Sequence, residues 1–324
     1  MSADNPYEVV LSPRFPELID STLRSDYVDC GHKFELHRIF GLAPLGGSVH
    51  LIAGGAFAKG VEVVRRRYYG EGADEETAIC DGVIAALAHY GNFDPGERYV
   101  HKSAERVAYA LVEYFCQYPL ATDKVKPYIR PDGTPAIEFE FSFPLETKHP
   151  ETGNPLLYGG RFDMVGDYMS NLWVVDEKTA TRLGPTWLKG FSLRGQLLGY
   201  CFAAKSFGLP VNGFIVRGVS FLKDYYGHAE VIEVVPEYRL RQWREQVEID
   251  AAKMVRDWEE GRFSYAYGDA CNAYGRCPFR DTLCNKENWQ DWWRESFEVS
   301  YWNPLDVKPH LEDSPIIPGS FASE

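Results

Sequence analysis

The chain has 324 residues, 45% of them hydrophobic and 15% aromatic, with a formal net charge of −13. That composition can fill a sizeable core and excludes the disordered and fibrous classes, and no apolar run approaches the roughly 18 residues of a membrane span. The acidic balance excludes a protein that holds nucleic acid by bulk positive charge, so any such partner must be met by local cationic groups.

The N-terminus, MSADNPYEVVLSPRF, lacks the basic start and apolar centre of a secretory signal, and a cytoplasmic location is expected. Residues 15 to 41 read as helical, ending near Gly41 with Cys30 inside. Helices follow at about 54–70, 74–91 and 101–117, the last with Val107, Leu111, Val112 and Phe115 at helical spacing. AIEFEFSFPL alternates, so Ile137, Phe139, Phe141 and Phe143 should face one way and Glu138, Glu140 and Ser142 the other, as in a half-buried strand. The turn-rich KHPETGNPLLYG leads into LLYGGRFDMVGDYM, which a Ser-Asn turn separates from NLWVVDEKT. Both are rich in β-branched and aromatic residues, and an antiparallel hairpin is expected. A helix from Trp187 to Phe207, strands in NGFIVRGVSFL and GHAEVIEVV, a helix at about 236–260 and an extended tail from Asn303 complete the series. This order predicts an α/β fold, a mixed central sheet flanked by helices with an α-rich N-terminal part.

The hairpin carries the chemistry. Asp163 lies in its first strand, while Asp176 and Lys178, two apart in the second, share a face that Glu177 does not. Two carboxylates can hold a hard divalent cation, which polarises a phosphodiester and acidifies water. Lys178 can then hold or deprotonate the attacking water and offset developing charge. Gln196 and Tyr200 fall one turn apart on the next helix, able to meet a phosphate or a base edge. There is no H-E-x-x-H motif and no G-x-x-x-x-G-K-[ST] loop, which disfavours a zincin-like protease and ATP hydrolysis by the chain itself. A helicase or recombination partner would have to supply any unwinding. Arg65, Arg66 and Arg67, with Lys189 and Arg194, are candidate contacts to nucleic acid.

These residues resemble the PD-(D/E)XK nuclease superfamily, in its RecB-like branch of CRISPR-associated four-cysteine exonucleases and phage exonucleases, over residues 20 to 290. G-x-x-D matches Gly160 to Asp163, D/E-x-K matches Asp176 to Lys178, and Q-x-x-x-Y matches Gln196 to Tyr200. The family helix G-x-x-F-H-x-x-x-E corresponds to GGAFAKGVE, where Ala58 replaces the histidine and Glu62 is kept. The resemblance implies a restriction-endonuclease-like core and metal-dependent DNA exonuclease activity in recombination, repair or replication. It further implies Mg2+ or Mn2+ held by Asp163, Asp176, Glu62 and the Glu177 carbonyl, with a glutamate of the 136–145 strand near the metal. A CRISPR-associated trimming nuclease and a non-catalytic DNA-binding module on the same scaffold are the alternatives. DNA with a free end is the expected substrate, and a ring-forming homo-oligomer could add processivity.

Seven cysteines are too few for a secreted disulfide scaffold. Cys271, Cys277 and Cys284 fall within fourteen residues and Cys30 lies far upstream, so three plus one thiolates could hold a 4Fe-4S cluster or zinc. The family resemblance favours the cluster. Cys80, Cys116 and Cys201 sit in apolar helical surroundings and read as buried small hydrophobes. A clip from Cys30 to the C-terminal trio would bind residues 1–302 into one integrated domain: a helical part to 135, a catalytic core over 136–235, and the closing segment over 236–302. Trp289, Trp292 and Trp293 crowd the segment after the cysteine loop and Tyr265, Tyr267 and Tyr274 precede or enter it; these aromatics read as helical packing, with a base-stacking ramp beside the cluster as the alternative.

Overall fold

The computed structural model describes residues 11–223 and 225–304, apart from the side chains of residues 273–275, which include Tyr274. The expected tail beyond 304 lies outside the described residues. In chain order the elements are β1 (Leu18–Ile19), α1 (Ser21–Asp29), α2 (Gly31–Phe34), β2 (Leu42–Pro44), α3 (Val49–Arg65), α4 (Glu75–Tyr90) and α5 (Ala104–Gln117). There follow β3 (Lys126–Pro127), β4 (Ile137–Lys148), β5 (Pro155–Tyr168), β6 (Asn171–Ala180), α6 (Pro185–Leu188), α7 (Gly195–Ser206), β7 (Val211–Phe221), β8 (Tyr226–Val234), α8 (Glu237–Glu259) and β9 (Phe297–Val299). Asp20, Asp74 and Ser103 start α1, α4 and α5 by accepting backbone N–H groups that the first helical turn leaves free.

Seven strands form one mixed sheet, with β1, β5, β6, β7 and β8 in sequence across it and β3 and β4 also pairing with β5. The β5–β6 pair is the expected antiparallel hairpin. Its turn places Met169 and Ser170 at φ 52° and 59°, the conformation a two-residue loop needs to match strand twist. β6 and β7 run parallel across the α6–α7 crossover. On one face Tyr158, Phe162, Val174, Phe214 and Val216 pack with α7 and α8. On the other, Val219 and Phe221 meet the α3–α4–α5 layer. The expected mixed α/β fold, with its α-rich N-terminal part, is what the protein adopts. No helix among the described residues is long and apolar enough to cross a membrane.

Close approach of α3 and α4 depends on missing side chains. A Cβ on Gly82 would lie 2.3 Å from Val64 Cγ2 and 2.8 Å from the Gly60 carbonyl oxygen. Gly82→Val should therefore push the helices apart and cost about 1–3 kcal/mol or more, read as a lower denaturation midpoint at unchanged m-value; an unshifted midpoint would reject this packing.

Three predicted elements differ from those observed. The helix expected over 15–41 is broken at Cys30, which is extended (φ −168°, ψ 117°). The break lets the His32 N–H donate to the Ser264 carbonyl at 2.9 Å, a tertiary bond invisible to periodicity. The helix expected from Trp187 begins only at Gly195, because the Trp187 ring lies over β7, where a Cβ on Gly218 would come within 2.4 Å of it. Finally, the alternation of β4 fails at its start. Ile137 joins Met164, Trp173 and Val175, whereas Phe141 and Phe143 join the α7–α8 core. Glu138 between them has φ 47°, and this left-handed residue rotates the strand so that the two sides of it bury opposite faces. Two of the three lone cysteines also differ, since only Cys201 is buried; Cys80 and Cys116 are exposed.

Candidate active site

Asp163 on β5 and Asp176 on β6 come together where the hairpin crosses the middle of the sheet. The Glu177 N–H donates to Asp163 Oδ2 at 3.1 Å, which ties the two strands at that level. Asp176 is fully buried. Lys178 Nζ stands 2.9 Å from each of its oxygens but makes a hydrogen bond of good geometry to Oδ1 alone, leaving Oδ2 without one. Burial, the neighbouring Asp176 and then Glu138 push the Asp163 carboxyl well above its ordinary range. Burial likewise raises Asp176, with Lys178 opposing. Burial alone would lower Lys178, but Asp176 and Asp163 beside it outweigh that and raise it, so without a further cation it is an ammonium.

Glu138 completes the group. Ile137 pairs with Met164 and Phe139 with Phe162, so Glu138 stands opposite Asp163. Its side chain is 8% exposed, Arg161 Nε lies 2.8 Å from Oε2, and that oxygen has no well-formed hydrogen bond. Burial first, against Arg161 and together with Glu62 and Glu177, pushes its carboxyl up to about 7. Glu140, the other glutamate of the strand, is half-buried. The backbone turn at Glu138 is the kind of strain that accumulates at functional sites, and the sequence pattern offers no sign of it.

Glu62, on α3, bonds Lys59 at 2.9 Å and Arg66 at 3.3 Å; its charge acts on Glu138, while the influences on Asp163 come from Asp176, Glu138, Lys178 and Glu177. Gln196 Nε2 donates to the Tyr200 hydroxyl at 2.9 Å, as their one-turn spacing predicts. Tyr200 is nearly buried, and burial followed by Asp163 and Asp176 pushes its hydroxyl far up. Gly160 makes room for that ring, since a Cβ there would lie 3.2 Å from Tyr200 Cε1. Asp176 and Lys178 from β6 and Tyr200 from α7 thus gather around Asp163, with Gln196 bonded to the tyrosine.

The arginine run is a correction to the sequence reading. Arg65 is not a surface cation but a buried one, 4% exposed. It grips both oxygens of the Glu177 carboxylate, with Nη1 to Oε2 at 3.0 Å, and also donates to the Tyr114 hydroxyl at 3.3 Å. Tyr114 in turn donates to Glu177 Oε1 at 3.0 Å. Burial would raise Glu177, but Arg65 overrides it and holds this carboxyl below its usual range. Glu177 therefore faces away from Asp176 as its strand parity predicts, and its partner could have been read from Phe57, Val61 and Arg65, which share the buried stripe of α3. Arg66 reaches the Glu138 carbonyl and Arg67 pairs with Asp81 and Glu71.

Elsewhere, Cys30, Cys271, Cys277 and Cys284 line one cavity together with Lys33 and Tyr265. The Ala266 N–H donates to Cys30 Sγ at 3.5 Å, and the N–H groups of Phe279 and Arg280 face the Cys277 sulfur. Burial raises the Cys284 thiol to about 12, with the other three cysteines adding to it. Among the described residues, no group of three or more His, Cys, Asp or Glu side chains is gathered as a ready metal-binding set. Trp289 and Trp293 pack in a core with Leu36, Phe279 and Phe297. Trp292 is exposed.

A mixed sheet that sets Asp163 and Asp176 beside Lys178 is the arrangement of a metal-dependent phosphodiesterase class of site. The sequence pattern of the PD-(D/E)XK nuclease superfamily matches residues 22–285; the chain belongs to that superfamily and is a nuclease. Among solved structures, a Eubacterium rectale protein called a "putative exonuclease" aligns over 81% of this chain and 89% of its own at 13% identity, with a TM-score of 0.43. A protein called SSO0001 aligns over 60% of this chain and 74% of its own at 15% identity, with a TM-score of 0.26. No curated protein sequence matches.

Proposed function

We propose that the protein is a Mg2+- or Mn2+-dependent DNA exonuclease of the RecB-like branch, serving recombination, repair or replication. The observation that carries this reading is the pair Asp163 and Asp176 beside Lys178, with one buried Asp176 oxygen lacking a hydrogen bond. Nucleases of this superfamily generally use Mg2+ or Mn2+. The donors here fit such an ion: all are hard oxygens, burial raises both aspartates and, with Asp176 beside it, holds Asp163 well above its ordinary range, and an unbonded oxygen is available. Asp163 and Asp176 would hold it, with Glu138, Glu62 and the Glu177 carbonyl as further oxygens. When bound, it would polarise the phosphate and acidify water.

The chain's own residues do the rest. Lys178 holds the attacking water and meets charge growing on the phosphate; a cation on the two aspartates would offset the charge that raises its pKa, and Lys178 would then also accept a proton. Gln196, braced by the Tyr200 hydroxyl, orients the strand, and Arg65 fixes the segment from which Asp176 and Lys178 project. DNA labelled separately at each end, in linear and circular form, tests the reading. Stepwise loss from one end of linear DNA, absent on circles and without divalent metal, is the expected result. Metal-supplied protein that leaves both forms intact would shift the reading to a binding module.

We further propose that Cys30, Cys271, Cys277 and Cys284 bind a 4Fe-4S cluster that ties residues 1–302 into one body. Their shared cavity and the N–H groups directed at two of the sulfurs support it. Anaerobically purified protein should be brown, absorbing broadly near about 400 nm, and Cys277→Ala should bleach it. Colourless protein with one equivalent of zinc would overturn iron in favour of zinc.

A further inference from the structure

Four cationic side chains are buried among the described residues: Arg38, Arg65, Lys102 and Arg217. Three are neutralised by carboxylates, Arg38 by Asp26, Arg65 by Glu177 and Arg217 by Asp123. Lys102 is the exception. It is 3% exposed, and its ammonium donates to His50 Nδ1 at 2.7 Å, beneath an imidazole that is itself exposed. The charges acting on His50 are Lys102 and His101, and those on His101 are Lys102 and Arg106, all of one sign. Arg106 is held by the Leu222 carbonyl and the Tyr226 ring, and its Nε lacks a partner. Among the described residues none of these four groups forms an ion pair with a carboxylate, in a chain whose net charge is −13.

The chemistry of the pair sets its polarity. An ammonium has no acceptor, so His50 Nδ1 must accept and is unprotonated. The neutral ring then carries its hydrogen on Nε2, turned away from Lys102. The result is an outward N–H donor with a full positive charge behind it, a group suited to an oxyanion.

Its position relates it to the cleft. Lys102 lies 5.9 Å from the Phe221 ring at the end of β7, three residues past Gly218, which pairs with Lys178. That is about 10 Å along the strand. One turn beyond His50 on α3, Gly54 packs on Thr179, which follows Lys178 in β6 and points to the opposite face of the sheet; a Cβ on Gly54 would lie 3.2 Å from the threonine hydroxyl. The cationic group thus stands past the same strand ends toward which Lys178 lies.

We propose that His50 and Lys102, with His101 and Arg106 around them, hold a backbone phosphate of the DNA strand a few nucleotides from the bond that is cut, a role that rests on the nuclease reading above. A phosphate there would complete the charge balance that carboxylates provide for the other buried cations, and would set the register of the strand against Lys178.

The test uses the full chain in an Asp176→Ala background, so that DNA is bound and not cut. Binding of a labelled linear duplex is followed by fluorescence anisotropy across a salt series, with and without Lys102→Met or His50→Ala. Methionine keeps an apolar stem against Phe221, and His50 is exposed, so circular dichroism and thermal midpoint should report folded protein for both. Each variant should weaken binding roughly tenfold; Lys102→Met, which removes the charge, should also lower the slope of log affinity against log salt by about 0.9, the loss of one phosphate neutralised, whereas His50→Ala removes a neutral donor and should leave the slope nearly unchanged. In active protein, a single neutral methylphosphonate scanned along the strand should slow cleavage at one linkage near the cut, and His50→Ala should erase that sensitivity. Unchanged affinity and slope in both variants, with DNA binding and cleavage otherwise intact, would overturn this inference alone. Absence of any DNA binding or cleavage by the parent chain would overturn the nuclease reading as well.

Discussion

Asp176→Ala is expected to lower metal-dependent cleavage by at least about 10³-fold while leaving the protein folded. The carboxylate is fully buried and one of its oxygens lacks a hydrogen bond, so in the metal-free protein it is a burden on stability rather than a support. Its folded pKa is raised above the unfolded value of 3.8. The native state therefore holds a proton that the unfolded chain has released, and stability falls as pH rises from about 3.8 through the raised folded value. Above that window the penalty stands in full. Accordingly, at pH 8 without metal the thermal midpoint of Asp176→Asn should equal or exceed that of the wild type, and the difference should vanish in acid. Lys178 retains Asp163 as a neighbouring counter-charge in the variant. Added Mn2+ should raise the midpoint of the wild type and not of the variant, since a ligand stabilises only the state that binds it. Undiminished cleavage by a clean preparation of the variant would remove Asp176 from the mechanism; collapse of the fold would make its role structural.

The second large effect lies on the opposite face of the sheet. Arg65→Ala removes the cation that neutralises the Glu177 carboxylate, whose side chain is 3% exposed. Tyr114 remains, but a single hydroxyl cannot replace a bidentate guanidinium. An uncompensated buried charge costs about 3–5 kcal/mol, a drop of roughly 4–7 °C in the thermal midpoint for a chain of this size. Because the Glu177 N–H also bonds Asp163, the surviving folded fraction should bind Mn2+ more weakly. Glu177→Gln combined with Arg65→Met removes both charges and should recover much of the stability, leaving a smaller loss than either single change. If Arg65→Ala melts within about 1 °C of the wild type, a difference of about 0.7 kcal/mol, the pair contributes no such support.

Where local patterning and the final environment agreed, the sequence was sufficient. The hairpin bearing Asp163, Asp176 and Lys178 follows from two β-rich runs joined by a short turn, and the opposite orientation of Glu177 follows from strand parity. The Gln196–Tyr200 contact follows from a helical spacing of four. The mixed sheet follows from the order of strands and helices. Tertiary contacts decided the remainder, because each depends on a partner remote in the chain. Ser264 breaks the first helix at Cys30, β7 holds Trp187 outside the α7 helix, and the left-handed turn at Glu138 sends Ile137 and Phe141 to opposite faces. Arg65 shares the helical stripe of Phe57 and Val61, which separates it from Arg66 and Arg67; the closure of α3 over β6 then makes it the counter-ion of Glu177. Lys102 likewise gains its meaning from what the fold leaves out, since a lysine in a helical turn is ordinary until burial among other cations deprives it of a carboxylate. Residue type and spacing determine which chemistry is available, while burial and long-range pairing determine the charge state in which each group is held.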